Sequence, residues 1–276
     1  MTEKKNKVST ENLKNVSETL LYPLISRYVE TKKENGIIKD PKSIEIIEAL
    51  DYDVKNTKIF PISQIGTCLR TIILDEAVLD FIGENPDSVI VNLGCGLDAR
   101  FPRVDNNQIL WIDLDLPETI EIRKKFFHET SRHKFIAKSV LDSSWTEEIP
   151  KNKKLFIIME GLSVYLTEEE NRKVISIIRK NFKNADFYME AFASFFTNLI
   201  SYMKKKDSLD KKASGLMKWG IKSGKEMETW EQDIRYIGEE AVIDKGRERF
   251  SLMNRIMFSL IPVMRKMTKI VHLKFE

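Results

Sequence analysis

Two cysteines and three histidines among 276 residues leave little material for a disulfide framework or a zinc site. Cys68 and Cys95 allow at most one bridge, and no Cys/His cluster stands at ligand spacing. An acidic pair that could hold magnesium is also missing, so no metal is expected. Charge of one sign is not in excess. A formal net charge of +3 with 32% charged residues argues against a broad nucleic-acid footprint and for a globular, soluble chain. No apolar run is long enough to span a bilayer, and the most hydrophobic late stretch, Ile256 to Met264, contains Pro262. Its basic flanks (Arg255, Arg265, Lys266, Lys269) suit a membrane surface, but a core-packing helix with a cationic outer face is the form expected. No apolar segment follows the lysines of Met1 to Lys7. No signal peptide is therefore expected, and the location expected is cytoplasmic.

What the chain does have is order. Leu13, Val16, Leu20, Leu24 and Tyr28 recur at helical spacing, predicting an amphipathic helical region over 10–33 that Pro23 should kink or divide. A short helix is predicted over 41–50. A longer one is predicted over 63–84, burying Ile65, Leu69, Ile73, Leu74, Val78 and Ile82. Residues 1–85 thus form an expected helical cap ahead of the first strand. From Ser88 onward strands (88–93, 109–113, 134–138, 154–159, 187–192) alternate with helices (98–104, 117–129, 167–183). The last helix opens on a capping box, Thr167 to Glu170. Ile234 to Gly238 and Ile270 to Phe275 read as two final strands. This pattern predicts an α/β core over 86–276 with a mostly parallel sheet. Residues around 195–230 would supply lid and substrate helices, and Lys204 to Lys212 reads as a solvated charge run.

The most informative segment is Ser88 to Phe101. A β-branched run from Val89 to Leu93 ends sharply at Gly94-Cys95-Gly96, where two glycines let backbone turn tightly and approach a ligand. About twenty residues later Trp111-Ile-Asp-Leu-Asp115 ends a second strand on acids, the arrangement that takes ribose hydroxyls in doubly wound proteins. Cys95, inside the turn, is expected to be a small apolar filler. Gly94-x-Gly96-x-x-Ala99 also satisfies the nicotinamide-dinucleotide fingerprint, so glycines alone leave the cofactor open. Asp98 would repel a diphosphate, and Phe101-Pro102 allows only a short helix to receive one. S-adenosylmethionine, with a sulfonium, an ammonium and no phosphate, suits such a loop better.

Asn92-Leu-Gly-Cys-Gly-Leu-Asp-Ala-Arg100, Asp113-Leu-Asp-Leu-Pro-Glu118 and Met159-Glu-Gly-Leu-Ser-Val-Tyr-Leu166 resemble three ordered motifs of the leucine carboxyl methyltransferase family. Tetracenomycin-type polyketide O-methyltransferases are among its relatives. Gln64 to Thr71 and Lys218 to Ile221 are similar to further segments of the family. The resemblance implies a class I S-adenosylmethionine-dependent methyltransferase fold, a Rossmann-like seven-stranded sheet with one antiparallel strand near the C-terminus. It also implies cofactor contacts. Arg70 would pair with the cofactor carboxylate, and Gly94 and Gly96 would pass under its methionine part. Asp115, with Asp113 on the same strand face, would take the ribose. Glu160 would stand near the sulfonium; Asp98, read from its charge in the loop and not from the resemblance, is a further cofactor-binding candidate. Ser139 stands where the family usually has an acid for the adenine, with the Val140 backbone next to it. The structural alternatives are a capping role for Glu160 and a surface ion pair for Arg70.

Methyl transfer from a sulfonium needs alignment of a nucleophile more than activation. A carboxylate acceptor needs no base, whereas a phenol does. His128, His133 and His272 fall on a charged helix, before the third strand and in the terminal strand, so none is a convincing base. Tyr165, five residues after Glu160, reads either as orienting an acceptor or as a core tyrosine. The expected function is O-methylation of a carboxylate or phenolic hydroxyl on a small, polyketide-type metabolite. Protein C-terminal carboxyl methylation, a nicotinamide-dependent oxidoreductase and a silent cofactor-binding module stand as alternatives.

Overall fold

A computed structural model of the chain describes residues 20–52, 54, 59–197 and 217–276. Seven strands, β1 (Val89–Leu93), β2 (Leu110–Asp115), β3 (His133–Ala137), β4 (Leu155–Met159), β5 (Ala185–Phe192), β6 (Ile234–Ala241) and β7 (Thr268–Phe275), form one sheet in the order β3-β2-β1-β4-β5-β7-β6. β1 to β5 are parallel, and β7 runs antiparallel between β5 and β6. The seven-stranded α/β expectation holds, with strand ends within a few residues of those predicted.

The two faces of β1 explain its unbroken apolar sequence. Val89, Val91 and Leu93 enter one core, while Ile90 enters the other, so no position faces water. The first face is covered by a helix over Glu168–Asn181 (α6), which buries Val174, Ile175, Ile177 and Ile178 and begins on the predicted Thr167–Glu170 capping box. A helix over Pro61–Glu84 (α3) covers the second through Leu69, Ile73, Leu74, Val78 and Ile82. Two shorter helices, α1 (Leu21–Thr31) and α2 (Pro41–Ala49), pack with Leu97, Ala99, Ile122 and Phe126 over the carboxyl end of β1. The helices α4 (Phe101–Val104) and α5 (Pro117–Arg123) follow β1 and β2.

Pro23 stands within the first turn of α1, and a kink or break between that helix and residues 10–19 falls outside the described residues. Pro23 is the third residue of the helix, where backbone N–H groups have no intrahelical acceptor and its missing donor costs nothing. Predicted helix before residue 20, and the charge run Lys204 to Lys212, lie outside the described residues. The late apolar stretch forms α7 (Leu252–Leu260) and α8 (Pro262–Arg265), but it is not a core-packing helix. Only Phe258 of α7 is buried, against Phe250, while Leu252, Met253 and Leu260 are each more than two-thirds exposed (71%, 79% and 75%). Phe258, with Met257 packed beside it on the same core, anchors the helix, and its apolar arc turns outward. No described helix is long and apolar enough to cross a membrane.

Candidate cofactor site

The glycine turn is forced by backbone conformation. Gly94 and Gly96 hold φ of 67° and 48°, in the left-handed region that L side chains rarely adopt. A Cβ on Gly94 would meet Leu162 at 2.9 Å, and one on Gly96 would meet Leu20 of the cap at 2.5 Å. The turn is held from β2: Gly94 and Cys95 donate to the Leu114 carbonyl, and Gly96 N–H donates to Asp115 Oδ2 at 2.8 Å. Asp115 Oδ1 accepts from Leu116 N–H at the start of α5. One carboxylate therefore ties the glycine turn to the next helix and stays partly exposed at the strand end. Burial raises its pKa above the ordinary aspartate value, against its backbone hydrogen bonds. Cys95 is buried and burial pushes its thiol up, as suits an inert filler.

Asp113, predicted beside it as a cofactor contact, is placed elsewhere. It is fully buried, and its carboxylate is committed to Arg123 (2.5 Å), His133 (2.6 Å), Trp111 (2.9 Å) and Asn92 (3.2 Å). Alternation along β2 does put Asp113 and Asp115 on one face, but Asp113 sits two residues deeper, under the turn and not at its mouth. Arg123 links it upward by donating to the carbonyls of Gly96 and Asp98 at 3.0 and 2.8 Å. Asp113 supports the turn from below.

Around the turn, side chains far apart in sequence build an ion-pair network. Arg70 from α3 donates to Glu160 at 2.8 Å and to both oxygens of Glu190 at 2.7 Å. Arg100 is wholly buried and donates to Asp75 (2.6 Å), Asp98 (2.7 Å) and Glu160 (2.5 Å). Arg103 pairs with Asp75 and Asp40, and Arg27 with Asp40. The network holds five carboxylates (Asp40, Asp75, Asp98, Glu160, Glu190) and four guanidiniums (Arg27, Arg70, Arg100, Arg103), so one negative charge is in excess. Asp98 Oδ1 is buried and accepts no hydrogen bond, and it lies 3.7 Å from Arg103. Arg70 is thus ion-paired, but inside the site and not on the surface. Glu190 also caps the Gly161 turn after β4, accepting from Gly161 N–H at 2.8 Å.

Sequence reasoning gave Arg100, Arg123 and Glu190 no role. Glu190 interrupts an otherwise apolar stretch, Arg100 closes the Asn92–Arg100 motif, and Arg123 stands in a charged run that hides it. Ser139 Oγ accepts from Leu141 N–H at 3.2 Å, and the Val140 carbonyl accepts from Trp145, so both shape the turn after β3. Tyr165 ends a short 3-10 helix over Ser163–Tyr165 and is half-buried. Its neighbour Val164 accepts from Lys218 N–H at 2.7 Å, which brings the returning chain alongside. No cluster of three potential metal ligands occurs among the described residues.

Burial pushes Asp98 and Glu160 up, but Arg100 and the other arginines outweigh it and hold both below the usual carboxylate range. Asp113 is lowered in the same way by Arg123 and His133. For Glu190 burial outweighs Arg70 and leaves it raised. The stability carried by the three lowered groups is complete above about pH 5. It is lost as pH falls through the ordinary carboxylate value of about 4 towards their lower folded values. Glu190 and Asp115 act oppositely, because protonation relieves their burial, and they offset part of that loss. Denaturant midpoints should therefore fall steeply between about pH 5 and pH 3. The fall should be shallower in Asp98→Asn; an unaltered slope there would remove Asp98 from the acid-labile set.

The sheet order, the antiparallel β7 and a glycine turn facing an acid-ended β2 define the class I methyltransferase architecture. The solved structure of magnesium protoporphyrin IX methyltransferase from Synechocystis, with bound S-adenosylhomocysteine, shares this fold at a TM-score of 0.51. The two are 8% identical, and the match covers 80% of this chain and 90% of that one. The chain is an S-adenosylmethionine-dependent methyltransferase of this class. It belongs to the leucine carboxyl methyltransferase family, whose sequence profile matches residues 21–179. The tetracenomycin polyketide synthesis O-methyltransferase TcmP of Streptomyces glaucescens is 25% identical over 236 residues, covering 85% of this chain and 86% of that protein. The S-adenosyl-L-methionine-dependent methyltransferase dpfgK of Gibberella zeae is 25% identical over 246 residues, covering 81% of each chain.

Proposed function

We propose that this methyltransferase methylates an oxygen, a carboxylate or an acidic phenol, on a small polyketide-type metabolite. The observation that carries the cofactor half is the excess of carboxylates over guanidiniums around the Gly94–Gly96 turn, with Asp98 Oδ1 buried and without a hydrogen bond. S-adenosylmethionine carries one net positive charge and an ammonium that can donate there, whereas a dinucleotide would bring a diphosphate against Asp98 and Glu160. Arg70 would hold the cofactor carboxylate, Asp115 the ribose, and Ser139 with the Val140 backbone the adenine. Gly94 and Gly96 would give the methionine part its passage, and Glu160 would face the sulfonium.

When bound, the cofactor supplies a methyl group on a sulfonium, a leaving group that needs no proton. The chain's own task is to orient the acceptor oxygen and exclude water. Its histidines do not compete for a base role. His133 is buried on Asp113, His272 pairs with Asp186 at 2.7 Å, and His128 is exposed beyond α5. That favours carboxylates and acidic phenols, already ionised near neutrality, as acceptors. Tyr165 is assigned to orienting the acceptor. The overall resemblance to TcmP, named for tetracenomycin polyketide synthesis, supports the substrate class.

Calorimetry with S-adenosylmethionine, S-adenosylhomocysteine and NAD tests the cofactor, and micromolar NAD binding without sulfonium binding would overturn it. A label-transfer screen over carboxylic and phenolic acceptors tests the chemistry; transfer to a C-terminal peptide alone would redirect it to protein methylation, and transfer to none would leave a binding module. Arg70→Ala should weaken the cofactor by about 1.5–3 kcal/mol, the worth of a charged hydrogen bond. An unchanged dissociation constant would confine Arg70 to its pairs with Glu160 and Glu190.

A further inference from the structure

The outward face of α7 and α8 is the largest departure from expectation and has no part in the cofactor site. At about 100° per residue, Leu252, Met253, Ile256 and Leu260 fall within one arc of α7, and the buried Phe258 lies opposite. Ile261 and Val263 carry the exposed apolar surface on into α8. Six large apolar side chains on one continuous turn of chain are more than scattered surface hydrophobics.

The charges around this face choose its partner. Between Asp244 and Lys266 the chain carries six basic residues and two acidic ones. Lys245 is paired with Glu76, and Arg265 with Asp244, but Arg247, Arg255 and Lys266 have no carboxylate partner among the described residues. A second copy of the chain docked symmetrically would set this cationic patch against itself. The chain's own residues 198–216 are equally unsuited, with five lysines and two aspartates. An apolar stripe bordered by free cations is the pattern of an interfacial helix, which sinks its apolar arc to the acyl boundary while its basic residues meet anionic headgroups.

We propose that α7 and α8 dock this protein reversibly on an anionic lipid surface. The placement gives the contact a direction. Ala241 at the end of β6 and Thr268 at the start of β7 lie level with Phe192, the carboxyl end of β5. The docking helices therefore leave the sheet at the same edge as the Gly94–Gly96 turn and Glu160.

Co-sedimentation of the full chain with vesicles of phosphatidylcholine, alone or mixed with phosphatidylglycerol, tests the proposal. The wild-type protein should pellet with the anionic vesicles and be released by salt. A Leu252→Ser, Met253→Ser, Leu260→Ser variant should bind at least about tenfold less, with an unchanged melting midpoint and unchanged S-adenosylhomocysteine affinity. Arg255→Glu with Lys266→Glu should lose about tenfold on anionic vesicles only. Equal pelleting with neutral vesicles, wild-type protein left in the supernatant, or binding indifferent to the triple substitution would each overturn the proposal. So would a dimer, seen by light scattering, that the triple variant abolishes while vesicle binding is absent.

Discussion

Arg100→Met is expected to cost about 3–5 kcal/mol of folding stability, the penalty for leaving buried charges without their partner. For a chain of this size that is a fall in melting midpoint of roughly 6–15 °C. The guanidinium has no exposed surface and bridges Asp75, Asp98 and Glu160 at 2.5–2.7 Å. Methionine matches much of its volume but leaves three carboxylates facing one another with fewer cations among them. Arg100→Lys should recover less than half of the loss, because one ammonium cannot present the fork that meets three acids at once. S-adenosylhomocysteine affinity should fall with it, since Asp98 and Glu160 lose the group that keeps them ionised and in place. The deficit relative to wild type should narrow towards pH 4, where those acids take up protons. A melting midpoint within about 2 °C of wild type would show that water or rearrangement replaces Arg100.

Asp113→Asn is expected to be comparably damaging, about 3–5 kcal/mol, for the opposite reason. Here the cation is stranded: Arg123 is 1% exposed, and its Nη2 faces Asp113 at 2.5 Å. Asparagine keeps the shape but not the charge. Because Arg123 also holds the carbonyls of Gly96 and Asp98, the substitution should loosen the glycine turn without removing any group that touches cofactor. A double-mutant cycle with Arg123→Met separates the two roles. A coupling of about 1–3 kcal/mol in stability is expected for residues that act as one unit. Additive effects would mean that Asp113 works through His133 and Trp111 and not through Arg123.

Much of this fold is legible in the sequence because its signals are local. The unbroken β-branched run of β1, the six-residue β2 ending on acids and the capping box of α6 each sit within a few residues of chain. Local sterics and hydrogen bonds dictate them whatever the rest of the protein does. The Gly94–Gly96 turn belongs with these, since positive φ selects glycine directly. Asp115 was readable for the same reason, as the last residue of a strand in a known relation to that turn.

The wiring of the site was not readable. Glu160 meets Arg100 across 60 residues and Arg70 across 90, while Arg70 meets Glu190 across 120. Only the order β2-β1-β4-β5 brings those strand ends to one edge, with α3 laid across them. Period-two alternation could place Asp113 and Asp115 on one face of β2, but not tell which of the two lies beneath Arg123 and which at the mouth. The apolar stretch Ile256 to Met264 likewise pointed to a helix but not to the direction of its apolar face. Phe258 against Phe250, with Met257 and Met264 packed on the same core, turned the opposite arc outward.

The sequence alone therefore determined the elements, the glycine turn and the acid facing it, because backbone sterics and hydrophobic periodicity act over a few residues. Tertiary structure alone decided which acids and arginines neutralise one another and which apolar face meets the solvent. Coulomb pairing and burial depend on distance through space, and that distance is set by strand order rather than by neighbours in the chain.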